Sequence, residues 1–221
     1  FREANVQLIA DLQTIEQEYG HITSQMTIDY NGKKTLQQAA NYLKESNREV
    51  REEVFNKIQN RRSQDRKPLN DLLSRLIAKR HEVAQNAGFQ NFRDYKFQSL
   101  CRFDYTKEDC FAFHDAIRQA VPPILTAIHK NRKQKLGYET LRPWDMEVDA
   151  ENKPALKPFT DIPDFVEKTI ACFTEIKPYY GECIKLLADN GYWDLESRIG
   201  KAPGGYNNPL YESNVPFIFI N

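Results

Sequence analysis

Apolar residues spaced three and four apart, interrupted by capping residues, glycines and prolines, run from the start of the chain to about residue 190 and confine it to a mainly α architecture. The first stripe, Val6, Leu8, Ile9, Leu12, Ile15 and Tyr19, predicts a helix over 2–20 that stops before Gly20. Met26, Ile28 and Tyr30 then alternate with polar residues up to Asn31-Gly32, a strong hairpin signal, so a small ribbon is expected near 24–35. Thr35 with Gln38, and Ser46 with Glu49, fit the capping box, in which side chains three residues apart satisfy each other's orphan N–H groups, and predict helices starting near 36 and 47. Val50, Val54 and Ile58 mark the inner face of the second. Pro68 opens another helix, with Leu69, Leu72, Leu73, Leu76, Ile77, Val83 and Ala84 turned inward and Gly88 as its stop.

A short helix over 91–102 and a longer one from Thr106 to Gly137 follow. Pro122-Pro123 removes two N–H donors and is expected to kink or split the longer one. Residues 138–160, with Pro143, Pro154 and Pro158, read as an extended surface crossing. A helical pair over 162–177 and 179–190, parted by Pro178, leads to a tail read as strand (194–199), glycine loop (200–205) and strand (215–220). The expected organisation is a multi-helix array over 1–137, the 138–160 crossing, and a helical pair plus hairpin over 161–221, with small β-hairpins near 24–35 and 194–220.

A chain of 221 residues can form one large domain or two small ones. Lys plus Arg (31) balances Asp plus Glu (31), so no net field draws it to nucleic acid or an anionic membrane. No stretch approaches the roughly 18 apolar residues a bilayer span needs, and Arg2, Glu3 and Asp11 stand where a signal peptide requires an apolar run, which gives a cytoplasmic expectation. Phe1 in place of Met, and an uncapped apolar run from Val215 to Asn221, give both ends the look of cuts. Cys101, Cys110, Cys172 and Cys183 form no C-x-x-C pair and read as reduced thiols packed as small hydrophobes.

A catalytic zinc needs about three converging protein ligands and an open position. His21, His81, His114 and His129 include no pair four residues apart. His81-Glu82-Val83-Ala84-Gln85 begins like H-E-x-x-H, but Gln85 offers a neutral amide, and the segment reads as a polar helix face. There is no G-x-S-x-G elbow, and no histidine is placed by local spacing beside a serine or cysteine. Glu45, Glu49, Glu52 and Glu53 read as a solvated helix face. Arg61, Arg62, Arg66 and Lys67, and the run Lys130, Arg132, Lys133 and Lys135, lie near expected helix C-termini, where cations complement the helix dipole. In Gly200-Lys201-Ala202-Pro203-Gly204-Gly205-Tyr206 the paired glycines lack a Cβ and admit a second backbone, either that of their own hairpin or that of an incoming peptide paired as an extra strand.

The segment 195–206, followed by Asn208-Pro209-Leu210-Tyr211-Glu212 and 215–221, resembles the stretch leading into the active-site helix of the thimet oligopeptidase / oligoendopeptidase F family of zinc metallopeptidases. The resemblance extends upstream through Ala84-Gln85-Asn86-Ala87-Gly88-Phe89, Asn91-Phe92-Arg93-Asp94-Tyr95, Leu141-Arg142-Pro143-Trp144-Asp145 and Lys157-Pro158-Phe159. It implies part of a larger HExxH zincin-type fold, in which 1–137 forms a helical wall of a substrate channel and 161–221 leads into the catalytic helix. It also implies a metalloendopeptidase that cleaves short unstructured peptides, with zinc bound by residues downstream of 221 and neither metal ligands nor catalytic residues within the segment. By the same resemblance Gly204, Gly205, Tyr206 and Asn207 are the expected substrate contacts. The reading from another class is a non-catalytic helical interaction module.

Overall fold

The computed structural model describes residues 2–151 and 153–221, so Phe1 and the Asn152 position of the expected crossing lie outside the described residues. The fold is mainly α with small sheets, as the spacing predicts. Inter-residue contacts divide the chain into two compact units, Phe1–Tyr19 with Ser63–Lys153, and Gly20–Arg62 with Pro154–Asn221.

In the first unit, the early part of α1 (Ala4–Ser24) is matched to α4 (Arg66–Asn86). Leu12 and Ile15 are buried, as are Leu72, Leu76, Val83 and Ala84, whereas Leu73 and Ile77 are exposed, contrary to the inward stripe expected of them. Ion pairs from Arg75 to Glu18, Lys79 to Asp11 and Arg80 to Glu16 flank this apolar face. Asn5, itself buried, donates from Nδ2 to the Val83 carbonyl at 2.9 Å and accepts from Asn86 at 3.0 Å. The helix ends as predicted at Gly88, whose φ of 84° lets its N–H reach the Gln85 carbonyl while Phe89 N–H reaches that of Ala84.

α5 (Phe92–Ser99) starts on Asn91, whose side chain accepts from Asp94 N–H. α6 (Lys107–Leu136) starts on the Thr106–Asp109 capping box and stops at Gly137. Pro122-Pro123 does not split it: Arg118 and Gln119, whose carbonyls lose their helical donors, are exposed, so water can serve them. Part of the 138–160 stretch is tightly packed. Pro143–Asp145 forms a 3-10 turn, Asp145 and Val148 are buried, and Arg132 donates to the carbonyls of both.

In the second unit, α1 runs on through Gly20 to Ser24 instead of stopping before the glycine. A Cβ at Gly20 would lie 3.4 Å from the Ala202 Cβ, so the residue read as a helix stop instead accommodates a close neighbour. β1 (Thr27–Asp29) and β2 (Lys33–Thr35) form the expected ribbon around Asn31 and Gly32, both at positive φ. Thr35 and Gln38 make the full capping box for α2 (Leu36–Ala40). α3 (Arg48–Gln64) is capped by Asn47, not Ser46: the Asn47 side chain accepts from Glu49 and Val50 N–H. Its buried side includes Arg51 as well as Val54 and Ile58, because the Arg51 guanidinium returns to the Glu45 and Ser46 carbonyls. α7 (Ile162–Ile176) and α8 (Pro178–Asn190) are the predicted pair, and a Cβ at Gly181 would fall 1.9 Å from Thr174 Oγ1, so only glycine fits there.

The tail departs from the expected strand order. Trp193–Asp194 is only a two-residue strand, β3, and the partner of β5 (Val215–Ile220) is β4 (Gly205–Leu210). Strand order is β3-β5-β4, with β3 parallel and β4 antiparallel to β5. The glycine loop therefore precedes the hairpin, and Asn214, at φ 55°, lies in the turn that joins its strands. Residues 195–199 remain irregular because Arg198 and Lys201 both fold back onto Asp194.

Candidate functional site

The loop before β4 is organised around Lys201, whose side chain is 1% exposed. Its ammonium has four acceptors: the Asp194 carbonyl at 2.9 Å, Asp194 Oδ1 at 3.0 Å, the Glu196 carbonyl at 2.9 Å and the Ile220 carbonyl at 2.6 Å. A buried ammonium is tolerable only with such compensation. The same nitrogen lies 4.5 Å from the Phe219 ring centroid, within cation–π range. The Arg198 guanidinium, gripping both Asp194 oxygens at 2.7 Å, and then Lys201 hold the Asp194 carboxyl well below the usual carboxylate range. Gly200 N–H to the Ser24 carbonyl, and Asn221 Nδ2 to the carbonyls of Lys201 and Ala202, complete the clamp.

This clamp delivers the chain into an open sheet edge. Gly204 takes φ 109°, a conformation L side chains rarely adopt, and nothing lies within 4 Å of where its Cβ would be. Gly205 is glycine for a different reason: a Cβ there would approach the Phe219 carbonyl to 3.1 Å. The backbone that this glycine admits is thus that of β5, and a larger side chain would press on the sheet with or without a peptide present.

Asn221 N–H donates to the Gly204 carbonyl at 3.0 Å, which fixes the alternation of the ladder. Tyr206, Asn208 and Leu210 face β5 with their backbone groups, while Gly205, Asn207 and Pro209 turn theirs outward. Pro209, which has no N–H, fits this outer side. Gly205 and Asn207 therefore present N–H and C=O at the free edge, in the geometry of a template for one more strand. The Tyr206 ring stacks on Phe219, directly opposite, with centroids 4.9 Å apart and planes 4° from parallel. A cavity of about 560 Å³ is lined by Arg198, residues 200–206 and Phe219.

The four residues expected as contacts are placed differently: Gly204 in a turn, Gly205 and Asn207 with their backbone groups outward, and Tyr206 with its ring on Phe219. Lys201, Asp194 and Phe219 were not foreseen, although a lone lysine among glycines, alanine and proline, with Asp194 seven residues earlier, is an available signal.

The described residues contain no group of three or more His, Cys, Asp or Glu able to hold a metal ion. His21, His81, His114 and His129 are all exposed, and Gln85 terminates its helix by donating to the Phe89 and Gln90 carbonyls. The donor set these residues offer does not fit zinc. The four thiols are free, and none is buried, contrary to their expected packing as small hydrophobes. Arg61 and Arg62 lie in the last turn of α3, and Lys133 and Lys135 in that of α6, with Lys135 paired to Glu151, whereas Arg66 and Lys67 open α4, contrary to the C-terminal placement expected of them. Among the described residues no helix is long and apolar enough to cross a membrane.

The model of peptidase family M3 matches residues 41–221. The chain belongs to peptidase family M3. Its fold superimposes on a protein assigned as oligoendopeptidase F from Bacillus anthracis strain Ames, with a TM-score of 0.92 at 22% identity over 100% of this chain and 41% of that one. An inhibitor complex of PZ peptidase A gives the same TM-score at 23% identity, over 100% of this chain and 39% of that one. A protein assigned as a peptidase from Chlamydophila abortus matches at a TM-score of 0.56 and 16% identity, over 100% of this chain and 38% of that one. No match was found among curated protein sequences. At these identities the structural likenesses establish the fold, and the M3 segment spans about two fifths of the first two structures it matches.

Proposed function

We propose that this M3 segment supplies helical walls and a substrate-pairing strand edge to a zinc-dependent peptidase that hydrolyses internal bonds of short, unstructured peptides, with the metal held by residues outside the 221. In this reading 1–137 is one wall of the channel, 138–160 a crossing, and 161–221 the helical pair and hairpin beside the reaction centre; the protein works in the cytoplasm. When bound, zinc would supply a polarised water. This chain's own contribution is to bind and orient.

The observation that carries the reading is the outer edge of β4. Extended peptides bind such edges through main-chain hydrogen bonds, which require an unfolded substrate and are indifferent to its side chains. Gly205 and Asn207 offer these bonds, and the Lys201 clamp fixes the edge beforehand, which lowers the ordering cost of association.

Asn207→Pro in the full-length protein tests this. It deletes one outward N–H at a position equivalent to that of Pro209 and leaves the inner ladder intact. Hydrolysis of a quenched fluorogenic peptide should fall about tenfold in kcat/KM, as expected for one lost hydrogen bond of about 1.4 kcal/mol. It should be abolished in the parent protein by a zinc chelator and restored by zinc. Unchanged kcat/KM in a folded Asn207→Pro variant would refute the pairing role, and chelator-insensitive turnover would refute the metal.

A further inference from the structure

The stack on this sheet has a spacing that reaches beyond the sheet itself. Tyr206 and Phe219 occupy directly opposed positions on neighbouring strands, and their parallel rings are 4.9 Å apart, essentially the separation of the strands. Lys201 Nζ lies over Phe219, so an ammonium and two rings form a continuous column. Tyr206 lies on the edge strand and is 55% exposed.

We infer that Tyr206 is a specificity-determining residue, and that its ring stacks an aromatic side chain of the bound peptide at the one position paired opposite it. This rests on the strand-pairing reading above and names the side-chain preference of that same site. A peptide strand added to β4 lies one strand spacing outward, about 4.8 Å. The residue opposite Tyr206 projects to the same face, because paired residues of adjacent strands share a face. The Tyr206 backbone is committed to β5, so in an antiparallel addition this opposed position is a non-hydrogen-bonded pair, where side chains approach most closely. A flat ring placed there continues the column at its existing spacing. An aliphatic side chain covers part of the ring, and alanine leaves it open to water.

The test uses the full-length protein and a set of internally quenched peptides in which each position around the scissile bond is in turn Ala, Leu, Phe or Trp. One position, at a fixed distance from the cleaved bond, should favour Phe or Trp over Ala by about fivefold in kcat/KM, in line with aromatic pairing. Tyr206→Phe should keep that ratio, and Tyr206→Ala and Tyr206→Leu should bring it near one at that position only, with the ratios at other positions unmoved. A general loosening of the hairpin would lower all peptides together and leave the ratio standing, which would overturn the inference. Hydrolysis without any aromatic preference in the parent protein would also overturn it, while leaving the strand-pairing reading intact. Absence of peptide hydrolysis altogether would remove that reading and this inference with it.

Discussion

The two hairpins of the M3 segment are held in opposite ways. β1–β2 is specified mainly by its neighbours in sequence: Asn31 and Gly32 take the positive φ values of the turn, Tyr30 meets Tyr42 edge-on at 4.9 Å, and Thr35 leaves the ribbon by capping the next helix, while Lys57 of α3 adds a hydrogen bond to the Asp29 carbonyl. β4–β5 takes its anchor from elsewhere, since the Lys201 ammonium occupies the Ile220 carbonyl on the side of β5 facing away from β4. Both turns hold an asparagine at positive φ, Asn31 and Asn214, but only the second hairpin is backed by a buried charge, so it should be the more sensitive to a single side chain.

Lys201→Met should have the largest effect, about 3 kcal/mol of lost stability, because it strips a common donor from buried acceptors and leaves Asp194 without its buried partner. Chemical denaturation followed by tryptophan fluorescence measures it, and a loss below about 1 kcal/mol would put the anchor elsewhere. Gly204→Ala should cost about 2 kcal/mol through its backbone conformation, against about 1 kcal/mol for Gly205→Ala, where a Cβ meets the Phe219 carbonyl. Reversal of that order in the same assay would contradict the separate reasons given for the two glycines. In the local hairpin, Thr35→Ala should cost about 1 kcal/mol, the usual value of a lost N-cap, and should leave the β4–β5 amides unchanged in hydrogen exchange.

The same anchor also has an electrostatic component. Arg198 and Lys201 depress the Asp194 pKa in the folded protein, so their contribution is present above the unfolded carboxyl value of about 4 and drains away as pH falls below it. Stability should decline from about pH 4 downward, and Asp194→Asn should flatten that limb while lowering stability at neutral pH. An acid limb as steep in Asp194→Asn as in the parent would assign it to other carboxylates.

The same contrast explains what could be read in the sequence. The caps and stops made by Thr35, Thr106, Asn91, Gly88 and Gly137 are closed within a few residues, and the helices they delimit match the spacing. Two of the stretches that carried the family resemblance prove to be of this kind: 84–89 is a helix stop and 91–95 a helix start, with Arg93 and then Asn91 holding the Asp94 carboxyl down to about 2. What escaped depends on partners that spacing does not reveal, one of them distant in sequence and the others close by. Gly20 looks like a stop and answers instead to Ala202, Arg51 looks like a surface charge and is buried, and 194–199 looks like a strand until Lys201 and Arg198 claim Asp194. At the candidate site the paired glycines were legible as an opening for a second backbone and Tyr206 and Asn207 came only with the family resemblance, while the alternation that singles out Gly205 and Asn207 depends on the register with β5.

That alternation can be measured directly by amide hydrogen exchange, resolved to single residues, in the full-length protein with and without a non-cleavable peptide. The Gly205 and Asn207 amides should exchange at least tenfold more slowly when the peptide is bound, while Tyr206, already bonded to β5, should not change. A peptide that binds and leaves Gly205 and Asn207 as unprotected as before would contradict the strand-pairing edge.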